Sequence, residues 1–190
     1  SSKSTNDFIE QDVKITNGDI INFGPKKVLS FTSSTVYTAI LKPTNNGFIA
    51  IYIEAGAFTD ILGNENDAAS QFNWTYDNEG PRMTITASNG TESVNDGTTT
   101  NDDSLIVTFT SSEPTNDFTL GDIAVTGGTV SNFSSSSSTV YTAIFKPIES
   151  GKKNIKVDEG RFTDIAGNEN NQAHQFIWVY NTPPYFKNIS

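Results

Sequence analysis

Apolar and polar residues alternate with a period of two along much of the chain. Leu105, Val107 and Phe109 share one phase of Ser104–Thr110. Tyr141, Ala143 and Phe145 share one phase of Thr139–Lys146, and Phe176, Trp178 and Tyr180 one phase of His174–Tyr180. Successive side chains of an extended strand point to opposite faces, so this pattern marks strands with one buried face and one wet face. Gln71, Asn73 and Thr75 fill the polar phase of a matching strand. No segment of useful length repeats its apolar residues at helical spacing. Between residues 81 and 183 the pattern predicts seven strands: Arg82–Ala87, Ser104–Thr110, Asp122–Thr126, Thr129–Phe133, Thr139–Lys146, Lys153–Asp158 and His174–Tyr180. "KPTNNG" (Lys42–Gly47) and "KPIESG" (Lys146–Gly151) place Pro and then Gly between strands, as hairpin loops do.

The pattern occurs twice. "STNDF" (Ser4–Phe8) answers "PTNDF" (Pro114–Phe118), and "DVKITNG" (Asp12–Gly18) answers "DIAVTGG" (Asp122–Gly128), both at a spacing of 110 residues. "STVYTAILKP" (Ser34–Pro43) answers "STVYTAIFKP" (Ser138–Pro147) at a spacing of 104. "FTDILGNEN" (Phe58–Asn66) answers "FTDIAGNEN" (Phe162–Asn170), and "QFNWTY" (Gln71–Tyr76) answers "QFIWVY" (Gln175–Tyr180), at the same 104. Six extra residues therefore lie between Phe23 and Ser34 in the first copy, as a surface-loop insertion would.

Ser1 aligns with Ser111, so the first copy has no counterpart of "RMTITAS" (Arg82–Ser88) or "SLIVTFT" (Ser104–Thr110). "PYFKNIS" (Pro184–Ser190) resembles the start of a further copy. The expected organisation is a module over 1–80 lacking its first two strands, a complete module over 81–183, and the first strand of another over 184–190. Seven short strands in about 100 residues imply a two-sheet sandwich of immunoglobulin type. The predicted fold class is all-β, as tandem seven-stranded immunoglobulin-like sandwiches. Trp74 and Trp178 fall in the apolar phase of their strands, so each is expected to anchor a core. A first module without two strands exposes sheet edges. Continuation of the chain upstream, or a strand from another subunit, would cover them.

Composition narrows the function. The chain has 190 residues, 35% hydrophobic and 11% aromatic, enough for packed cores. A net charge of −10 argues against nucleic acid and anionic membrane as partners and favours cations. There are no cysteines, which excludes disulfides, thiolate metal sites and cysteine nucleophiles. No apolar run approaches a membrane span. His174 is the single histidine, and Ser70 replaces it in the other copy. That leaves almost no route to a Ser–His–Asp triad. No phosphate-binding, dinucleotide or metalloprotease motif occurs. Carboxylate pairs of the glycosidase kind are compatible with the spacing. The acidic residues, however, sit in turns that occur twice. The chain reads as non-catalytic.

"FTSSEPTNDFTLGDIAVTGGTVSNFS" (Phe109–Ser134), "YTAIFKP" (Tyr141–Pro147) and "FTDIAGNEN" together resemble the bacterial immunoglobulin-like repeats of large surface adhesins. The resemblance spans essentially the whole chain. It implies sandwich modules in a rod-like extracellular array with a structural or adhesive role, and in several such arrays calcium lies between modules. The linker of that family has an Asp shortly before a Pro. Asp77 and Pro81 match it in "YDNEGP", whereas "YNTPPY" has Asn181 in the Asp position.

The repeated acidic turn has two readings. Asp164, Asn168, Glu169 and Asn170 offer hard oxygen donors of the kind calcium takes, but not at EF-hand spacing. As structure, Asp60 and Asp164 would accept from backbone N–H groups, Gly63 and Gly167 would take positive φ, and Asn64 and Asn168 would complete the turn. The turn joins the sixth and seventh strands, at the end where the chain enters the module. The second-to-third loop, with Glu113 and Asp117, lies at that end, as does the linker with Asp77 and Glu79. A calcium ion is therefore expected, if anywhere, at the module junction, near Asp77, Glu79, Glu113, Asp117, Asp164 and Asn168. Glycosylation sequons occur at Asn73, Asn89, Asn132 and Asn188, relevant for a eukaryotic secretory source.

The expected function is a structural or adhesive rod segment of a long extracellular, cell-surface or filament-forming protein. Its partners would be neighbouring modules of the same chain or identical subunits in a fibre. A carbohydrate-binding module, with Tyr185 and Phe186 as stacking aromatics, is the rival. An accessory segment of a larger secreted enzyme is the third reading.

Overall fold

The computed structural model describes residues 1–25 and 35–182. The chain divides into two compact units, Ser1–Asn78 and Glu79–Ser190. The six-residue insertion of the first copy falls partly, and the Pro184–Ser190 strand wholly, outside the described residues.

In the first unit, β1 (Val13–Ile15), β2 (Gly18–Pro25), β3 (Tyr37–Pro43), β4 (Gly47–Ile53) and β5 (Phe72–Tyr76) form two antiparallel sheets, β1-β4-β5 and β2-β3. A single 3-10 turn, Glu10–Asp12, leads into β1.

Among the described residues the second unit contains nine strands: β6 (Met83–Ser88), β7 (Ser93–Val94), β8 (Thr99–Thr100), β9 (Leu105–Ser111), β10 (Ile123–Thr126), β11 (Gly128–Ser135), β12 (Val140–Pro147), β13 (Gly151–Val157) and β14 (Phe176–Tyr180). They form a five-stranded sheet, β11-β12-β9-β6-β7, and a four-stranded sheet, β10-β13-β14-β8. All seven predicted strands are present, with their ends moved by a residue or two. β7 and β8 are additional. Each is two residues long, too short to carry alternation, and their polar Gly- and Asn-rich segment read as loop. β8 joins β14 in parallel, with Thr99 opposite Val179. The chain thereby crosses from one sheet to the other between β7 and β8.

Alternation becomes burial here. Leu105, Val107 and Phe109 of β9 face Trp178 and Phe176 of β14 in one core, with Phe145, Ile155 and Val157. Phe145 meets Trp178 edge to face at 4.7 Å between ring centroids. Between Ser131 and Ser134 the β11 ladder slips by a bulge, where Asn132 holds φ +53°, a left-handed conformation that Asn tolerates. Asn22 repeats it at φ +54° in β2.

The expectation for the tryptophans divides. Trp178 is 1% exposed and anchors its core. Trp74 is only half-buried, and its neighbour Phe72 is 64% exposed. In the second unit β6 and β9 line the wall opposite Trp178. Among the described residues the first unit has no counterpart of either strand, so the apolar phase of β5 lacks that cover.

Candidate functional site at the entry end of the module

The loop between β13 and β14 is built around Asp164. Its Oδ1 accepts from the N–H of Gly167 at 2.7 Å and of Asn168 at 2.9 Å. Its Oδ2 accepts from Asn168 Nδ2 at 2.9 Å. Gly167 holds φ +94°, which a residue with a Cβ rarely adopts. The first copy repeats the design. Asp60 Oδ1 accepts from the N–H groups of Leu62 and Asn64, Asn64 Nδ2 bonds both carboxylate oxygens, and Gly63 holds φ +84°. Lys3 Nζ adds an ion pair to Asp60 at 3.2 Å.

Asn170 closes the loop from inside. Its Oδ1 accepts from the N–H of Arg161 and Phe162, and its Nδ2 donates to the carbonyls of Asp158 and Asn171. A buried amide with both donors and both acceptor positions engaged is satisfied. Asp117, on the loop after β9, ties that loop to this one. It accepts from Thr163 N–H at 3.0 Å, from Thr163 Oγ1 at 2.9 Å, and from Thr115 Oγ1 at 2.7 Å. Tyr141 Oη donates to the Thr115 carbonyl at 2.9 Å. Asp7, Thr59, Thr5 and Tyr37 reproduce these contacts in the first unit.

The incoming segment docks on the same end. The Asn171 N–H donates to the Pro81 carbonyl at 2.9 Å, Asn171 Nδ2 donates to the Gly80 carbonyl at 2.8 Å, and the Ser112 N–H donates to the Arg82 carbonyl at 2.9 Å. A Cβ at Gly80 would run into the Glu169 carbonyl, which explains glycine there.

These contacts favour ionised carboxylates. For Asp117 and Asp164 burial pushes the pKa up, but hydrogen bonds from Thr115 and Thr163, and from Asn168, Gly167 and Ala166, outweigh it and leave both below the usual range. The Asn64 side chain and N–H hold Asp60 far below that range, and the hydroxyls of Thr5 and Thr59 lower Asp7. Burial raises Tyr141, and the Asp117 charge adds to the rise.

The structure places the predicted cation ligands as follows. Within the second unit, Glu113, Asp117, Asp164 and Asn168 lie on the two loops that Asp117 and Thr163 join, and exposed Glu79 stands on the incoming segment. Asp77 belongs to the first unit and accepts from Asn46 Nδ2 at 3.0 Å. The donors are hard oxygens suited to calcium. They fit unequally, since Asp117 already accepts two protein hydrogen bonds on each oxygen. As structural-turn residues, Asp60, Asn64, Asp164, Gly167 and Asn168 make the bonds just described, and Gly63 donates its N–H to the Asp60 carbonyl at 2.9 Å. Thr115, Thr163 and Tyr141 hold the same end together but carry no signal of their own beyond lying in repeated motifs.

His174 is exposed. Asn73, Asn89 and Asn132 are exposed, Asn89 in a turn where its Oδ1 accepts from the N–H of Thr91 and Glu92. Asn188, Tyr185 and Phe186 lie outside the described residues. Among the described residues no helix is long and apolar enough to cross a membrane.

The family model for the Bacterial Ig-like domain, Big_12, matches residues 77–177, just over half of the chain. No curated protein and no solved structure matches it. The matched span runs from the linker Asp to the middle of β14 and takes in both loops of the entry end, so the chain belongs to the Bacterial Ig-like domain family.

Proposed function

We propose that this chain is a non-catalytic structural or adhesive rod segment of a long extracellular or cell-surface repeat protein or filament. The observation that carries the reading is the use made of the repeated polar residues. Asp117, Asp164 and Asn170, like Asp7, Asp60 and Asn66, direct their side chains to backbone and threonine donors that shape loops. A site that spends its carboxylates on loop geometry twice over serves module architecture rather than turnover. Neighbouring modules, or identical subunits in a fibre, are the partners that fit.

Single-molecule pulling tests this. A load-bearing module gives a discrete rupture for the second unit on every cycle. Extension at low force without a discrete event defeats the proposal. Calcium at the entry end is a separable part of it, with Glu79, Glu113, Asp164 and Asn168 as donors. Added calcium should raise the thermal midpoint, and a midpoint indifferent to calcium and EDTA removes the ion while leaving the rod.

One observation favours a carbohydrate-binding reading. Phe48 is 57% exposed on the outer face of β4, where the second copy has Lys152. A glycan-array signal abolished by Phe48→Ala would put that reading first.

A further inference from the structure

The hairpin between β3 and β4 holds the segment that follows β5. Asn46, at the hairpin tip, accepts on Oδ1 from the Asn78 N–H at 3.1 Å and donates from Nδ2 to Asp77 Oδ1 at 3.0 Å. The second unit makes the same contact with a different residue. Ser150 stands 104 residues after Asn46, as Thr182 does after Asn78. Ser150 Oγ accepts from the Thr182 N–H at 2.9 Å, and the two hydroxyls share a hydrogen bond at 2.8 Å. Two different side chains thus meet the same backbone N–H, so what the hairpin tip supplies is an oxygen acceptor. The hairpin is a firm anchor for it. The Thr44 N–H donates to the Asn17 carbonyl at 3.2 Å, and the Asn17 side chain bonds both backbone groups of Asn45.

The two latches differ in chemistry. Asn46 carries a side-chain amide and is followed by Gly47, whose backbone nitrogen no side chain shields. That nitrogen can bond the Asn46 side-chain carbonyl carbon. The carbon–nitrogen bond of the side-chain amide breaks, and the amide nitrogen leaves as ammonia with the Gly47 proton. Water then opens the cyclic imide at either carbonyl, leaving aspartate or isoaspartate. Ser150 has no such route. Asn17–Gly18 and Asn89–Gly90 are the other Asn–Gly pairs of the chain. Asn89 Oδ1 is held inside its own turn by the N–H groups of Thr91 and Glu92, and Asn17 is half-buried against Asn45. Asn46 is exposed, and both its partners lie past the end of β5, so fraying of a strand end frees its amide.

Conversion changes what Asp77 faces. Where the Asn46 amide nitrogen now donates at 3.0 Å, a second carboxylate oxygen would stand. A hydrogen bond is replaced by two like charges at contact distance. We propose that Asn46 is a deamidation site, and that its conversion unlatches Asp77 and Asn78 from the first unit while Ser150 keeps Thr182 latched in the second. This does not depend on the rod reading, since it rests on hydrogen bonds within each unit.

The test ages the chain at mildly alkaline pH in EDTA, maps deamidation by peptide mass spectrometry and follows single amides by NMR hydrogen exchange. Position 46 should convert ahead of Asn17 and Asn89. The Asn78 amide of the converted chain should exchange about fivefold faster or more, with the Thr182 amide unchanged as the reference. Asn46→Asp should show the faster Asn78 exchange without ageing. Asn46→Asp with Asp77→Asn exchanges donor for acceptor and should restore the slow rate. Asn46→Ser copies the second unit and should stay latched through ageing. Conversion at Asn17 or Asn89 ahead of Asn46 overturns the assignment of the site. Unchanged Asn78 exchange in both the aged chain and Asn46→Asp overturns the unlatching. A double variant that exchanges as fast as Asn46→Asp overturns the charge account of it.

Discussion

Thr163 grips Asp117 twice, donating its backbone N–H at 3.0 Å and its hydroxyl at 2.9 Å to one carboxylate. The contact joins loops 46 residues apart in sequence, and Thr59 and Asp7 repeat it in the other copy. Asp117→Ala leaves the Thr163 N–H and the buried Thr115 hydroxyl without their acceptor. Hydrogen bonds to a charged group contribute about 1.5–3 kcal/mol, so the second unit should lose stability of that order. Thr163→Val keeps the N–H bond and should cost about 1 kcal/mol. Urea denaturation followed through Trp178, in a Trp74→Phe background, measures both.

Acid should act through the same carboxylates. The folded pKa values of Asp7, Asp60, Asp117 and Asp164 lie below their unfolded values. Their contribution to stability is therefore full above the unfolded value of about 3.9, and is lost as pH falls through the folded values. The thermal midpoint should stay level from about pH 7 to pH 5 and drop below about pH 4. Asp164→Asn should lower the midpoint at neutral pH and flatten the acid limb for the second unit. An equally steep acid limb in that variant would assign acid unfolding to other groups. Tyr141 has the opposite sign. Its pKa is raised, so its contribution is lost as pH climbs above about 10.

Much of this was legible in the sequence because alternation and repetition are local signals. The seven longer strands of the second unit follow from period-two faces, and Asp164 with Gly167 follows from turn chemistry. β7 and β8 did not, because two residues cannot show a period and their pairing depends on distant strands. Asn170 looked like one more oxygen donor. Its role emerges only when the carbonyls of Asp158 and Asn171 and the N–H groups of Arg161 and Phe162 converge on it. Thr163 and Tyr141 are common residue types whose partners lie 46 and 26 residues away, and no spacing rule reaches them.

Lys153 is 3% exposed on the inward phase of β13, where the first copy places Ile49 at 0%. Burying an ammonium side chain costs solvation that an isoleucine does not lose. Lys153→Ile restores the residue the scaffold already accepts at that position. It should stabilise the second unit by about 1–2 kcal/mol. A lower denaturation midpoint for this variant would show that the Lys153 head group makes contacts worth more than its burial costs.

The two tryptophans should report the difference in cover directly. Trp178→Ala removes a side chain packed edge to face on Phe145 and beside Phe176, and should cost about 3–5 kcal/mol. Trp74 packs on Phe72 at 5.6 Å but stays half-buried, so less apolar area returns to water when it is cut back. At about 25 cal/mol per Å² of apolar surface, Trp74→Ala should cost well under half as much. Trp74 should also emit to the red of Trp178 and take most of the quenching by iodide, read in the Trp178→Phe and Trp74→Phe variants. Comparable losses from both alanine substitutions would mean that the wall above Trp74 is covered in solution.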